Sequence, residues 1–390
     1  MKVAADVLRA IDAERVALTT LLSELVEIPT ENPPATGYAP CVARIESALA
    51  ERGLPFERIE IPSPADAPRA AIRAWVGHEG PTLCFHGHFD VVPAFNSGQF
   101  TPRIEGDTLF GRGSSDMKSG LVSMIAAATA LRDSGALRGR LELLFVPDEE
   151  TGGEFGTGAL VRLGLLPANL VGMLLPEPTS GVVWHSNRGA LTLEVTVRGR
   201  AAHVGLQHQG TNAVERAMPL LAKLFDAKRE LDARNGSIML VGGRVDAGSN
   251  FNVVPAQCRF TIDRRTDPAE DFDREKQNLL AMLDSARSQG VDLEVREIQE
   301  GRSSSTPVDG PLARALSDAV VEVTGDAPVF EMCPGLLETR FYAKRGVPAL
   351  AYGPGILAVS HGPKEFVKIG RMIECAKIYA LAAVRMVAGT

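Results

Sequence analysis

The sequence predicts an α/β protein: a mixed sheet with helices on both faces, interrupted by a separate α+β unit. Three observations carry this. Helix-like and strand-like stretches alternate along the first 180 residues, the pattern of a sheet covered on both sides. Three apolar runs, near 82–88, 141–146 and 171–175, each lead directly into His or acidic residues. From about Trp184 the pattern changes to clean apolar/polar alternation, as in half-exposed antiparallel strands, and the first pattern returns after about residue 300.

Leu18, Leu21, Leu22, Leu25 and Val26 follow helical spacing, and that helix must stop before Pro29. A second helix over 42–52 ends at Gly53. Strands follow over 56–61, 70–76 and 82–85, the last running into His88-Phe89-Asp90. Alternation along a strand turns His88 and Asp90 to one face and Phe89 to the other, a geometry that suits a metal ligand beside an orienting carboxylate. Residues 91–120 read as one long loop, a length usually functional or disordered, with Asp116 just before a helix over 121–131. Gly111 and Gly113 in that loop match neither dinucleotide nor phosphate-loop spacing.

The run over 141–146 delivers Asp148, Glu149 and Glu150, and the run over 171–175 delivers Glu177. Ligand sites in open α/β sheets lie at the carboxyl ends of strands. Consecutive acids there repel one another unless a cation neutralises them. The α+β unit brings LTLEVTVRG, the His203 segment AAHVG, a helix over 212–226, SIMLVGGRV, the loop DAGSNFNVVP, QCRFTIDRR, a helix over 270–287 and VDLEVREI. A helix over 312–323, a short buried strand in VPALAYGP, the His361 loop SHGPKEF and a final helix over 369–387 close the chain.

Composition sets limits. Hydrophobic residues at 45% and charged residues at 23% describe an ordinary globular chain. The net charge of −7 argues against a nucleic-acid partner. Acidic residues break the apolar character of the first segment, so no signal peptide is expected, and no run is long enough to span a membrane. Five scattered cysteines without a CxxC fit a reducing, cytoplasmic setting. The first strand-turn-helix lacks the glycine fingerprint of a nicotinamide-dependent oxidoreductase.

HFDVVP, GRGSSDMKSG, PDEETGG, PEPT, AAHVG, SNFNVVP and SHGPKEF occur in that order. On these motifs the chain resembles the M20 family of metallopeptidases and deacylases, which includes acetylornithine deacetylase, succinyl-diaminopimelate desuccinylase and glutamate carboxypeptidase. The resemblance implies a mixed-sheet zinc-peptidase catalytic domain, residues 1–182 and 294–390, and an inserted lid or dimerisation domain, residues 183–293. It implies two zinc ions per subunit, with cobalt or manganese able to substitute. Asp116 would bridge them, His88 and Glu177 completing one site and Glu150 and His361 the other. Glu149 would act as general base, Asp90 would hydrogen-bond the ring of His88, and His203 from the lid would stabilise the oxyanion. Asn252, Arg188 and Arg265 match substrate-contacting positions.

Where many relatives carry Gly-Thr-Asp-Ala-Arg, a carboxylate-binding segment, this chain has Leu336-Leu337-Glu338-Thr339-Arg340. Arg340 persists; the leucines predict an apolar group on the substrate. The implied activity is hydrolysis of the amide bond of an N-acyl amino acid or related small amide. A dipeptidase or carboxypeptidase of the same family is the near alternative, and a non-catalytic ligand-binding relative the alternative of another class. A small-molecule substrate and a homodimer formed through the lid complete the expectation. His86, on the same strand face as His88, is the further histidine to watch.

Overall fold

The computed structural model describes residues 2–63, 68–234 and 237–387. The chain divides into two compact units. One holds the described parts of 1–185, 305–332 and 341–390; the other holds those of 186–304 and 333–340.

The first unit is built on a mixed sheet. Its strands lie in the order Phe56–Ile61, Arg69–Gly77, Arg140–Val146, Thr82–His88, Leu170–Leu175 and Ala349–Ala351. Thr82–His88 runs parallel to both neighbours, so the carboxyl ends of three adjacent strands open on one edge. All seven residues of Thr82–His88 are buried, which explains its unbroken apolar character. Both faces are covered: Phe85 packs on Tyr379 of the helix Ile369–Val387, whereas the ring of the next residue, His86, meets Tyr342 and Thr157. Gly87 faces Leu121 and Met117; a Cβ there would come within 2.5 Å of the leucine and 2.9 Å of the methionine. That missing side chain lets the Asp116 segment lie against the strand, with the N–H of His88 on the sulfur of Met117 at 3.4 Å.

Two elements differ from the sequence expectation. The stretch 91–120 is not one long loop: Arg103–Glu105 and Thr108–Phe110 form a small sheet with Phe366–Lys368. Strands of three residues are too short to show periodicity. A helix, Lys2–Ala13, also precedes Arg15–Glu27, burying Val7 and Ile11 one turn apart.

The second unit is a four-stranded antiparallel sheet, ordered Ile238–Ala247, Gln257–Thr266, Gly189–Arg198 and Leu293–Gly301, with helices Ala213–Asp232 and Phe272–Ser288. Leu191, Leu193, Val195 and Val197 alternate into a core with Leu220, Leu224, Phe260, Leu279 and Leu283. Both helices start at side-chain caps: Asn212 accepts the N–H groups of Val214 and Glu215, and Asp271 that of Arg274. The unit extends past residue 293 because Leu293–Gly301 pairs along its length with Gly189–Arg198. Among the described residues no helix is long and apolar enough to cross a membrane.

Candidate metal centre

The sheet edge gathers the chemistry. His88 ends its strand, Glu149 and Glu150 occupy a short turn after Arg140–Val146, and Glu177 follows Leu170–Leu175. Asp116 lies in an irregular turn, Ser114–Lys118, ahead of the helix Ser119–Ser134, and His361 lies in the loop after Leu357–Val359.

His88, Asp116 and Glu177 present ligand atoms within 4.8 Å of one another, and so do Asp116, Glu150 and His361. Asp116 belongs to both groups and divides its oxygens between them. Its Oδ1 is 3.4 Å from Nε2 of His88, and its Oδ2 is 3.3 Å from Nε2 of His361. Glu150 stands 3.3 Å from His361, and Oε1 of Glu177 is 3.8 Å from His88. Glu149 belongs to neither group, yet its carboxylate is 3.9 Å from Nε2 of His88.

Charge explains what such a cluster requires. Burial and the charge of Asp116 push Glu150 above the usual carboxylate range and Glu177 well above it. Asp116 is held low despite its burial, because His361 and His88 pair with it. His361, facing Asp116 and Glu150, rises to about 10. Burial opposes a charge on His88, but Asp116, Asp90, Glu177 and Glu149 outweigh it. Glu150, Glu177 and the two imidazoles are thus all shifted toward keeping protons, where a cation would serve instead. Oε1 of Glu177 is buried with no hydrogen-bond partner among the described residues, which suits an oxygen that would bind a cation. The nitrogen and oxygen donor set, free of thiolate, fits zinc, cobalt or manganese.

A second layer of residues fixes these groups. Nδ1 of His88 lies 3.0 Å from the backbone oxygen of Asp90 and 3.5 Å from its carboxylate. The backbone oxygen is therefore the closer partner of the ring. The Asp90 carboxylate receives the N–H groups of Glu149 and Glu150 at 3.2 and 3.1 Å, and Nδ2 of Asn32 at 2.9 Å. The left-handed residue Asp148 anchors the same turn, accepting the Phe155 N–H at 2.8 Å and pairing with Arg69 at 3.2 Å. The fully buried Lys118 donates to the carbonyls of Leu25 and Ile28, at 2.8 Å each, at the end of Arg15–Glu27.

Sequence reasoning passed over Asn32, Arg69, Lys118 and Glu365, and named Asp148 without giving it a role. A polar residue in a loop looks solvated until its partners are known. His86 is structural: Nδ1 lies 2.8 Å from the hydroxyl of Tyr342 and Nε2 3.1 Å from that of Thr157.

The remaining candidates lie in the second unit. His203 and Asn252 sit on adjacent segments: His203 bridges to Val253, and the N–H of Val204 meets the carbonyl of Asn252 at 3.0 Å. Arg265 is not an open fork, since it pairs with both oxygens of Asp263 at 2.8 and 2.9 Å. Arg188 and Arg340 are mostly buried, and Arg340 donates to the carbonyl of Leu337 at 2.8 Å. Leu337 is buried, and the half-buried Leu336 packs over Gly301.

Residues 84–385 match the model of peptidase family M20/M25/M40. Succinyl-diaminopimelate desuccinylase of Gluconobacter oxydans is 31% identical over 345 residues, covering 84% of this chain and 87% of the relative. The solved di-peptidase Dug1p of Saccharomyces cerevisiae superposes with a TM-score of 0.80 at 17% identity, covering 99% of both chains. A Bacillus subtilis protein described as a dinuclear metal binding peptidase from the M20 family gives 0.70 at 17% identity, over 96% of this chain and 99% of that one. The match over most of the chain and the desuccinylase likeness show that this protein belongs to peptidase family M20/M25/M40 and is a metal-dependent hydrolase of that family.

Proposed function

We propose that the protein hydrolyses the amide bond of an N-acyl amino acid or related small amide, with two divalent cations held by His88, Asp116, Glu150, Glu177 and His361. The observation that carries this reading is Asp116, whose two oxygens serve two separate three-residue groups. Divalent cations in those groups would polarise the scissile carbonyl and make a water acidic enough to lose a proton near neutral pH. Glu149 takes the proton from the attacking water and returns it to the leaving amine. Its carboxylate borders the cluster but belongs to neither group of three, which leaves it for that task.

His203 serves as the oxyanion donor in this reading. Its Nδ1 accepts the N–H of Gly205 at 3.1 Å, so a neutral ring carries its proton on Nε2, the donor form. Asn252, beside it, would contact substrate, with Arg188, Arg340 and Arg265 as candidates for a substrate carboxylate. Arg265 would have to exchange Asp263 for that ligand.

The exposed edge strand Ile238–Ala247, with Ile238, Leu240 and Val245 open to solvent, supports a homodimer formed through this unit. Five buried free cysteines fit a cytoplasmic enzyme. The desuccinylase likeness favours an N-acyl amino acid over a dipeptide.

The test is turnover of a panel of N-acyl amino acids and dipeptides by zinc-loaded protein, alongside Glu149→Ala. Amine release from the acyl compounds, falling roughly 10²–10⁴-fold in the variant with metal content unchanged, is expected. Preference for dipeptides would make it a dipeptidase, and unchanged turnover in Glu149→Ala would remove that residue from the mechanism.

A further inference from the structure

The turn bearing Asp116 departs from helical geometry, with φ −122° and ψ 98° at Asp116 and φ −131° and ψ 30° at Met117. Its N–H groups therefore need partners outside a helical ladder. One side chain supplies them for Ser115 and Asp116. Oε1 of Glu365 accepts the N–H of Ser115 at 2.9 Å and that of Asp116 at 3.0 Å. Oε2 accepts from the Arg112 guanidinium at 2.6 Å. The carbonyl of Glu365 also receives the N–H of Gly111 at 3.0 Å. Glu365 and Arg112 are both almost wholly buried, so the pair is shielded from water and salt.

Three donors converge on one carboxylate. A carboxylate offers two acceptor oxygens and no donor; an amide of the same shape has only one acceptor. In Glu365→Gln the NH₂ group must face either Arg112 or the two backbone N–H groups, and both orientations set donor against donor.

We propose that Glu365 is a positioning residue for Asp116. It fixes the backbone from which the shared carboxylate projects, so that one oxygen faces His88 and the other His361, and it thereby sets the affinity for both cations. This rests on the metal-centre reading above. It adds that a residue touching neither cation governs how tightly they are held.

The experiment is a competition titration of zinc into the apo protein against a chromophoric chelator, with thermal unfolding of the same samples. Wild type takes up two zinc ions. Glu365→Gln is expected to weaken both roughly 10–100-fold, the usual effect of losing a partner that orients a ligand. Glu365→Asp, which keeps two acceptor oxygens, is expected to recover part of the loss. A Glu365→Gln protein with a lower Tm but wild-type zinc affinity would overturn the proposal, leaving the residue as a buried ion pair only. If that variant does not fold, Glu365→Asp decides alone: weakened zinc binding supports the proposal and wild-type binding overturns it. Failure of the wild type to take up zinc is a different result, which overturns the metal-centre reading and this inference with it.

Discussion

The carboxylate of Asp90 accepts the backbone N–H of Glu149 at 3.2 Å. The residue two places after His88 therefore holds in position the turn that carries the proposed general base. Asp90→Ala would remove an acceptor from that N–H and from the N–H of Glu150, both part-buried, and one from the amide of Asn32, which keeps Thr151 and Asp148. Roughly 10–100-fold should be lost from kcat/KM, as for other groups that orient a metal site. Steady-state kinetics at saturating zinc check this; parity with wild type would show that the turn holds its shape without Asp90.

Metal uptake should release protons. In the metal-free protein the pKa of His361 is raised to about 10 by Asp116 and Glu150, and that of Glu177 is raised by burial and Asp116. A group whose pKa is higher folded than unfolded contributes stability that is full below its unfolded value and is lost as pH rises through the folded one. The apo protein should therefore lose Tm between about pH 6.5 and pH 10, the window in which His361 is deprotonated in the unfolded chain and still protonated in the folded one. The zinc-loaded protein, whose ligands are already deprotonated, should lack that decline. Thermal unfolding of both forms across this range provides the check; identical pH profiles would contradict it.

Much of this centre was legible in the sequence because apolar strands deliver their terminal residues to one edge. His88, Glu150 and Glu177 announce themselves as polar residues at the ends of buried runs. Asp116 and His361 do not, since both come from irregular segments, and only the ordered motifs pointed to them. Glu365 and Arg112 were invisible for a physical reason: they are 253 residues apart, and each looks like a surface charge until the other is beside it. The same holds for Lys118, whose ammonium is buried against two carbonyls of a distant helix end. In the second unit, alternation in Gly189–Arg198 and Gln257–Thr266 was plain, because one face of that sheet is buried and the other mostly half-buried.

Gly87→Ala tests how tightly the Asp116 segment lies on its strand. The added methyl meets Leu121 and Met117 in a fully packed layer. Overpacking of this kind costs about 1–3 kcal/mol. Denaturant unfolding of the apo protein should show that loss, and an unchanged midpoint would mean the layer relaxes freely.

Association through the second unit predicts a specific sensitivity. Leu240 lies on the edge strand Ile238–Ala247 with 53% of its surface exposed. Leu240→Lys should convert a wild-type dimer to monomer in sedimentation velocity without lowering Tm in the monomer. A dimer that persists would place the contact elsewhere, and a monomeric wild type would remove the dimer proposal.

The proposed metal centre depends above all on Asp116 serving two cations. Metal content of zinc-reconstituted, dialysed protein tests this most directly, measured per chain for wild type, Asp116→Ala and His361→Ala. Two zinc ions are expected in wild type, one in His361→Ala, and loss of tight binding at both positions in Asp116→Ala. A wild type with no bound zinc, or an Asp116→Ala protein that still holds two ions, would contradict it.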